Sequence, residues 1–208
     1  MGRYTGPTER LSRRAGVELE LKGERRMARK AGLDRRGNPP GDHGHRSGRR
    51  RSTYAVHLAA KQAAKRFYGV REGQFRRYVR QAHRAAGAPG ERLLQLLELR
   101  LDNVVTRLGF AATRAQARQF AVHGHIEVNG RRLDIPSAQL SPGDVVAVKA
   151  ASPVRPAAEQ ATALTERVAP WLLADTDALV GRVLREPERG EIQAPIEEQL
   201  IVEFYSRV

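Results

Sequence analysis

The chain has 208 residues, with 37 lysines and arginines against 23 aspartates and glutamates, a formal net charge of +14 and a pI near 11.1. Such a basic excess attracts polyanions and destabilises an isolated chain through self-repulsion. The absence of cysteine excludes disulfides, cysteine nucleophiles and thiolate metal sites, and no stretch has the apolar length of a membrane span or a signal-peptide core. We therefore expect an intracellular polyanion-binding protein.

The positive charge lies in the first half of the chain. Residues 1–50 and 51–100 each carry a net charge of +8, whereas residues 151–208 carry −4. We expect the first hundred residues to face the polyanion. The acidic C-terminal segment should face away from it or meet a basic partner.

The first fifty residues show neither a helical nor a strand period. The stretch "KAGLDRRGNPPGDHGHRSGRRRS" is rich in Gly, Pro and Arg and has little apolar surface to bury. We expect residues 1–45 to be an extended basic segment, mobile in the free protein and ordered by a partner. A floppy tail or a localisation signal is the alternative, and the basic helices that follow directly disfavour it.

The first predicted helix lies in "STYAVHLAAKQAAKRFYGV" and ends at Gly69. Its expected buried face is apolar and consists of Val56, Ala60, Ala63 and Phe67. Its expected exposed face is basic and consists of His57, Lys61 and Lys65.

The next predicted helix, "QFRRYVRQAHRAAG", has a basic row that nothing on the same helix compensates. Its apolar face consists of Phe75, Tyr78, Val79 and Ala82. Arg76, Arg80 and Arg84 follow one another at one-turn spacing, which costs stability in an isolated helix. A phosphate backbone would remove that cost.

The stretch "ERLLQLLELRLDNVVTRLGF" carries the strongest apolar pattern of the chain, and Gly109 ends it. Its predicted core residues are Leu93, Leu97, Leu101, Val104 and Leu108. The polar residues Arg100, Asp102, Asn103 and Arg107 interrupt this stripe and argue against a membrane or cofactor role.

A capping box formed by Thr113 and Gln116 predicts a helix that starts at Arg114 and ends at His123, with Gly124 after it. Its predicted buried residues are Ala117, Phe120 and Ala121. Arg114 and Arg118, four residues apart, are expected to share its exposed side.

A β-hairpin is predicted in "HIEVNGRRLDI", because Asn129–Gly130 favours a two-residue type I′ turn. That turn pairs Val128 with Arg131 and Glu127 with Arg132. Ile126, Leu133 and Ile135 are then expected to face the core. The turn "SPGD" leads into a further strand, "VVAVK".

His123 and His125 raise the question of a reactive site. Zinc needs three or four ligands, and no third histidine or cysteine lies nearby in the sequence. The nearest carboxylate, Asp134, is already accounted for as a partner of His125 across the strands. We therefore interpret both histidines as contacts to phosphate or ribose.

The C-terminal segment "PIEEQLIVEFYSRV" is predicted to be a packing helix. Pro195 suits its first position, and Ile196, Leu200 and Phe204 share one face. A strand through "LIVEFY" is the alternative.

The stretch "RLDNVVTRLGFAATRAQARQFAVHGHIEVNGRRLDIPSAQLSPGDVVAV" resembles the S4 RNA-binding domain. The flanking motifs "MGRYTGP", "SRRAGVELELKGERR", "PPGDHGHR" and "EEQLIVEFYSR" extend the resemblance over the whole chain to the bacterial ribosomal protein S4 family. The hairpin motif alone would be weak evidence, because several RNA-modifying enzymes carry it. The terminal motifs in this order make the resemblance specific.

The resemblance implies an α+β fold with a mostly helical lobe and an S4 RNA-binding lobe made of helices, a β-hairpin and a small antiparallel sheet. The expected divisions are an extended basic N-terminal segment at 1–45, a helical lobe at 46–96 completed by about 192–208, and an RNA-binding lobe at 97–191 with its core at about 98–150.

The resemblance also implies a function without catalysis. Family members bind small-subunit ribosomal RNA directly, nucleate assembly of the small subunit, support translational accuracy, contact ribosomal protein S5 and lie near the messenger RNA entry path. Cytoplasmic localisation in the small ribosomal subunit follows, with no cofactor and no membrane partner. Some members hold zinc with four N-terminal cysteines, but the matching positions here are Glu9, Ser12, Arg26 and Ala31, so we expect no metal.

The expected RNA-binding residues combine the basic tail, the basic helices and the hairpin. They are Arg3, Arg10, Arg13, Arg14, Lys22, Arg25, Arg26, Arg49, Arg50, Arg51, Tyr54, Lys61, Lys65, Arg66, Tyr68, Arg76, Arg80, Arg84, Arg107, Arg114, Arg118, His123, His125, Asn129, Arg131 and Arg132.

Two other classes of protein share the hairpin motif. In pseudouridine synthases an S4 domain precedes a much larger catalytic domain, and residues 151–208 are too few to form one. Stress proteins that act on stalled ribosomes are short chains without the basic first hundred residues.

Overall fold

The computed structural model describes residues 4–23, 31–44, 52–165 and 167–206. The chain divides into two compact units, the first made of residues 1–93 and 193–208, the second of residues 94–192. No helix within the described ranges has both the length and the hydropathy needed to cross a membrane.

The helices are, in chain order, α1 (Glu9–Ala15), α2 (Gly32–Arg35), α3 (Thr53–Phe67), α4 (Glu72–Arg84), α5 (Pro89–Glu98), α6 (Leu101–Arg107), α7 (Arg114–Val122), α8 (Arg155–Ala163) and α9 (Glu198–Ser206). The strands are β1 (Ile126–Val128), β2 (Arg131–Arg132), β3 (Val145–Val148), β4 (Leu172–Asp175) and β5 (Val180–Val183), with a short 3-10 helix at Arg189–Glu191. The chain is therefore α+β, as expected.

The N-terminal segment contains two short helices that are held to each other. The Glu9 carboxylate on α1 accepts a hydrogen bond from the backbone N–H of Gly32 on α2. Arg13 donates to the backbone oxygens of Arg36 and Asn38, at 3.2 and 3.0 Å. Leu19 is fully buried, so the segment does contribute apolar surface. Its mobility in the free protein stays a prediction.

Helix α3 begins and ends as the sequence predicts, but its buried side differs from the predicted one. The Ser52 side chain caps its first turn, and Gly69 follows its end with φ of 62°. The predicted buried residue Val56 is exposed, whereas His57 and Lys61 are buried. The face assignment was wrong at these three positions, whereas Ala63 and Phe67 are buried as predicted. His57 and Lys61 are buried because α9 packs against the basic side of α3 and supplies partners for both residues.

Helix α4 has the predicted faces. Its apolar residues Phe75, Tyr78, Val79 and Ala82 are buried. Its arginines at one-turn spacing, Arg76, Arg80 and Arg84, are exposed.

The C-terminal segment is a helix, so the strand alternative is wrong. Helix α9 starts at Glu198, which places Pro195 before the helix rather than at its first position. Ile201 and Phe204 are its buried residues, while Leu200 is half-buried. The packing face was therefore predicted only in part.

The carboxylate of Glu72 binds three side chains of the first unit. Its carboxylate accepts hydrogen bonds from Tyr205 at 2.8 Å and from Lys61 at 3.2 Å, and it forms an ion pair with Lys65 at 2.7 Å. Burial would raise the pKa of Glu72, but the hydrogen bonds from Lys65, Tyr205 and Lys61 outweigh it and lower the pKa to about 2. Burial and the Glu72 carboxylate in turn raise the pKa of Tyr205. Glu72 thus joins α3, α4 and α9.

The second unit is built around an antiparallel five-stranded sheet in the order β2-β1-β3-β5-β4. The hairpin has the predicted register, with Glu127 opposite Arg132 and Val128 opposite Arg131. Asn129 and Gly130 both have positive φ, 52° and 74°, as a type I′ turn requires. The "VVAVK" strand is β3, and it pairs with β1 and β5.

The core of the second unit lies between the inner face of this sheet and helices α6, α7 and α8. Phe110, Phe120, Ile126, Val146 and Trp171 are among its buried residues. Leu133 packs partly against this core, but Ile135 is 51% exposed, so its predicted core position is wrong. Strand β2 ends at Arg132, and the strand alternation that would bury Ile135 does not continue to that position.

The apolar stripe of residues 93–108 is buried as predicted, but it is divided between two helices. Helix α5 ends at Glu98 and α6 begins at Leu101. Between them Arg100 forms a bridge with Gln139, and the N–H groups of Leu101 and Asp102 donate to Ala138 and Pro136. Because of this break, the polar residues of the stripe lie close to one another.

The Glu72 interactions predict a measurable loss of stability in Glu72→Gln. At pH 7 we expect the free energy of unfolding to fall by about 1 kcal/mol, a value discounted for solvent screening since 38% of the Glu72 side chain is exposed. The folded-state pKa is depressed, so the contribution exists above the ordinary value of 4.5 and is lost as the pH falls toward 2. Denaturant unfolding of both proteins at pH 7 and pH 2.5 measures this, and the difference should shrink at the lower pH.

Glu197→Gln is the matched control, because Glu197 is an exposed carboxylate in the same unit. It should leave the unfolding midpoint unchanged. Equal effects of the two substitutions would contradict the role given to Glu72.

Candidate nucleic-acid interface

The exposed arginines of α4 form a strongly basic surface in the first unit. Arg76, Arg80 and Arg84 project from one side of the helix, and the exposed Arg77 lies next to Arg76. No ion pair to a carboxylate is present for these four residues within the described ranges. Arg77 was not predicted, although it adjoins the predicted row. A row of like charges on a helix repels itself and is stabilised by an external anion.

A second basic feature of this unit lies at Arg66 on α3. Burial lowers the pKa of Arg66, and so does the neighbouring guanidinium of Arg14, which lies just within the end of α1. The guanidinium of Arg14 near that of Arg66 concentrates positive potential at this position. This is the electrostatic condition for binding a phosphate.

Three other predicted RNA-binding residues of this unit are buried or paired within the protein. Lys61 and Tyr68 are buried, and Lys65 is paired with Glu72. Their charges or rings stabilise the helical packing. Tyr54 is 61% exposed, and its ring lies 5.8 Å from that of Phe204.

The polar residues that interrupt the stripe of residues 93–108 form a buried network in the second unit. Arg100 is fully buried and binds the Asp102 carboxylate through two hydrogen bonds, of 3.0 and 2.7 Å. Asp102 also accepts from Arg118 at 3.2 Å. This half of the network joins the start of α6 to α7.

The other half of the network is centred on Glu98, which is 1% exposed. Its carboxylate accepts two hydrogen bonds from Arg107, of 2.9 and 2.8 Å, and one from Asn103 at 2.6 Å. The Asn103 side-chain oxygen accepts from Arg114 at 2.8 Å. We call these seven residues, Glu98, Arg100, Asp102, Asn103, Arg107, Arg114 and Arg118, the buried polar network.

The prediction that Arg114 and Arg118 share an exposed face of α7 is wrong. Arg114 is 8% exposed, and the Arg118 side chain is 18% exposed. Helix spacing correctly placed them on one side of α7, but that side covers Asn103 and Asp102 on α6. Arg107 is likewise held by Glu98, with 15% of its side chain exposed.

The helix start itself agrees with the prediction. The Thr113 hydroxyl accepts from the backbone N–H of Gln116 at 3.2 Å. The Gln116 side-chain oxygen accepts a hydrogen bond from the N–H of Ala112 at 2.9 Å, one residue before the position that a capping box uses. This cap orients α7 over α6.

The hairpin side of the second unit carries exposed cations. Arg131, Arg132 and His123 are exposed, whereas His125 is half-buried. Asn129 is exposed, but its side chain binds Asp144 at 2.8 Å and the N–H of Val145 at 2.9 Å, which fixes the hairpin to β3.

The two histidines lie close together without forming a metal site. Their ring centroids are 6.1 Å apart, and His125 Nδ1 lies 3.0 Å from the Ser152 hydroxyl. Burial lowers the pKa of His125, and the nearby His123, Lys149 and Arg132 lower it further. Lys149 was not predicted here, although the β1–β3 pairing brings it next to His125. No three His, Cys, Asp or Glu side chains cluster as metal ligands would anywhere in the described residues.

Of the remaining predicted contacts, Arg10, Arg14 and Lys22 are exposed, and Arg13 is half-buried against the backbone that follows α2. The others lie outside the described residues: Arg3, Arg25, Arg26, Arg49, Arg50 and Arg51. At two of the positions matched to the zinc ligands that the resemblance implies for some members, Glu9 binds the Gly32 N–H and Ser12 is buried.

Comparison with known proteins matches two successive parts of the chain to two family models. The family model described as "Ribosomal protein S4/S9 N-terminal domain" matches residues 3–98, and the "S4 domain" model matches residues 99–146. The chain is 55% identical over 208 residues to "Small ribosomal subunit protein uS4A" of Symbiobacterium thermophilum. It is 49% identical over 209 residues to "Small ribosomal subunit protein uS4" of Thermus thermophilus. Both alignments cover 100% of each chain.

The buried polar network predicts that Arg114→Glu destabilises the protein. The substitution removes the hydrogen bond to Asn103 and places a carboxylate beside the Asn103–Glu98 pair. We expect the free energy of unfolding to fall by about 1.5–3 kcal/mol, the usual contribution of a hydrogen bond to a charged group. Denaturant unfolding measures it. The control, Arg131→Glu on exposed β2, should shift it by no more than about 0.5 kcal/mol. Equal unfolding midpoints for the two variants would show that Arg114 does not support the network.

Proposed function

The chain belongs to the ribosomal protein S4 family, and from this membership we propose that it binds small-subunit ribosomal RNA directly as a structural component of the small ribosomal subunit. As a member of this family it is not an enzyme, and its place is the small subunit of the cytoplasmic ribosome. Full-length identity near 50% to relatives named small ribosomal subunit protein uS4 supports the proposal over a pseudouridine synthase or a short stress protein.

The observation that carries the proposal is the uncompensated row of Arg76, Arg80 and Arg84 on α4. These side chains are exposed, and the folded chain supplies no carboxylate to them within the described ranges. Phosphates at the spacing of a nucleic-acid backbone would relieve their repulsion. The close pair Arg14 and Arg66 extends the same argument to α1 and α3.

The second unit supports RNA binding by a different set of residues. Arg131 and Arg132 are exposed on β2, and His123 and His125 lie at the turn between α7 and β1. We propose that these residues contact the phosphate and ribose groups of the same RNA. Arg107, Arg114 and Arg118 are assigned instead to the buried polar network, which holds α6 and α7 in place beneath this surface.

We further propose that the protein nucleates small-subunit assembly and supports translational accuracy. The helical packing around Glu72 and the buried polar network hold basic side chains in place before RNA arrives, and a preorganised surface binds with a smaller entropic cost. Contacts to ribosomal protein S5 and to messenger RNA near its entry path are part of this proposal. The net charge of −4 in residues 151–208 supports a basic protein neighbour, because carboxylates repel RNA.

Sedimentation tests the structural role. A structural component should co-sediment with small subunits at one copy per particle and remain bound after washing at moderate salt. An RNA-modifying enzyme or a stress factor should instead be substoichiometric. A tagged protein recovered mainly in the particle-free fraction would contradict the proposal.

The basic surface predicts a steep dependence of RNA affinity on salt. If about 6–10 phosphates are neutralised, raising salt from 50 to 200 mM should weaken binding on the order of a thousandfold or more. Replacing Arg76, Arg80 and Arg84 with Gln should weaken binding to a small-subunit rRNA transcript and reduce the slope of log K against log salt by about three. Filter binding measures both quantities. A flat salt dependence would contradict a phosphate-dominated interface.

The control for the triple variant is Arg182→Gln, a single exposed arginine on β5. It should leave the slope nearly unchanged. Circular dichroism should show the same helix content in all variants, since the substituted side chains are exposed.

A further inference from the structure

In the turn between α7 and β1, the side chain of Arg132 lies against Gly124. Gly124 follows the end of α7 with φ of 75°, a conformation that L side chains rarely adopt. A Cβ built on Gly124 would lie 2.3 Å from Nε and 2.5 Å from Cζ of Arg132. The guanidinium of Arg132 therefore occupies the space that a side chain at position 124 would need. The backbone conformation favours glycine, and any side chain at position 124 would displace the Arg132 guanidinium from this place.

The surroundings of that guanidinium are mainly cationic. His123 and His125 flank Gly124, with ring centroids 6.1 Å apart. The N–H of Lys149 donates to the backbone oxygen of His125 at 3.0 Å, which holds that lysine beside the turn. His125 Nδ1 lies 3.0 Å from the Ser152 hydroxyl, so the ring orientation is fixed.

Two carboxylates face this cluster, and both are held weakly. Asp134 lies 3.4 Å from Arg132, with more than half of each side chain exposed. Glu127 lies 3.9 Å from Lys149, also at a partly exposed position. Exposed ion pairs of this length contribute little, so they neither neutralise the cluster nor hold Arg132 firmly.

We propose that His123, His125 and Arg132, arranged around the buried Gly124, form a binding site for one RNA phosphate, and that His125 takes up a proton when the phosphate binds. We call this set the glycine notch. The proposal rests on the proposed RNA-binding function and adds to it one phosphate contact, its chemistry and its dependence on pH.

A phosphate fits the glycine notch better than a base edge does. The planar guanidinium can donate two parallel hydrogen bonds to two phosphate oxygens. With Nδ1 directed to Ser152, protonated His125 has Nε2–H as its remaining donor. Cations that repel one another in the free protein are all stabilised by one anion, whereas a neutral base would leave the repulsion in place.

The direction of the pH effect follows from linkage. In the free protein, burial and the neighbouring side chains of His123, Lys149 and Arg132 lower the pKa of His125. A bound phosphate raises it, so binding takes up a proton and the affinity increases as the pH falls. A rise of one unit corresponds to about a tenfold gain in affinity between the pKa values of the bound and free states.

The test compares Arg132→Gln and His125→Gln with the wild-type protein in filter binding to a full-length small-subunit rRNA transcript at pH 6 and pH 8. Wild-type affinity should be several-fold higher at pH 6. Arg132→Gln should weaken binding about tenfold and reduce the salt slope by about one. His125→Gln should remove most of the difference between the two pH values. The control is Arg182→Gln, an exposed arginine of the same sheet.

Gly124→Ala tests the positioning of Arg132. It should weaken binding about as much as Arg132→Gln, and it should cause no further loss when Arg132 is already Gln. Should Gly124→Ala fail to fold, the Arg132 and His125 variants still decide the question. Additive losses from the two substitutions would overturn the positioning role of Gly124.

The possible results distinguish a failure of the glycine notch from a failure of the proposed RNA-binding function. If the triple α4 arginine variant weakens binding while Arg132→Gln and His125→Gln match Arg182→Gln at both pH values, the glycine notch is overturned and RNA binding stands. If none of the variants weakens binding, the proposed function fails with it. Calorimetry in two buffers of different ionisation enthalpy gives a direct readout, since proton uptake should be present in the wild type and absent in His125→Gln.

Discussion

The buried polar network is the interaction on which the RNA-binding part of the fold depends. A chain with a net charge of +14 must place many guanidinium groups near one another, and burying one of them is costly unless it is paired and hydrogen-bonded. Glu98 and Asp102 provide these partners where α5, α6 and α7 meet. Breaking one pair would leave a buried charge, so the network fixes the relative orientation of α6 and α7 more strictly than apolar contacts do.

The same constraint acts in the first unit through Glu72. Its carboxylate binds Lys61, Lys65 and Tyr205, and it brings together helices that are distant in the sequence. Carboxylates are scarce in the first hundred residues, and this one is used internally. The cations that no carboxylate of the described residues reaches, such as those along α4, remain exposed. They are the ones for which we propose RNA contacts.

On the hairpin, the positions of the cations are set by backbone geometry, whereas in the two clusters above they are set by ion pairs. The type I′ turn fixes the register of β1 and β2, and the register determines that Arg132 reaches back toward the end of α7. A glycine at position 124 leaves room for it. Cations positioned in this way remain close to solvent and repel one another, which suits them for binding an anion. Burial and these neighbours together lower the pKa of His125.

The sequence by itself determined the local features of this protein. Helix stops at Gly69 and Gly124, the Thr113 cap, the Asn129–Gly130 turn and the amphipathic face of α4 all follow from interactions within a few residues, and the S4 resemblance followed from motifs in order. Only the tertiary structure decided which cations are buried. Lys61 and Arg114 look like exposed residues from helical spacing, but each one meets a partner supplied by another helix, Glu72 on α4 or Asn103 on α6. A periodic pattern shows which residues share a face, whereas burial of that face depends on what packs against it.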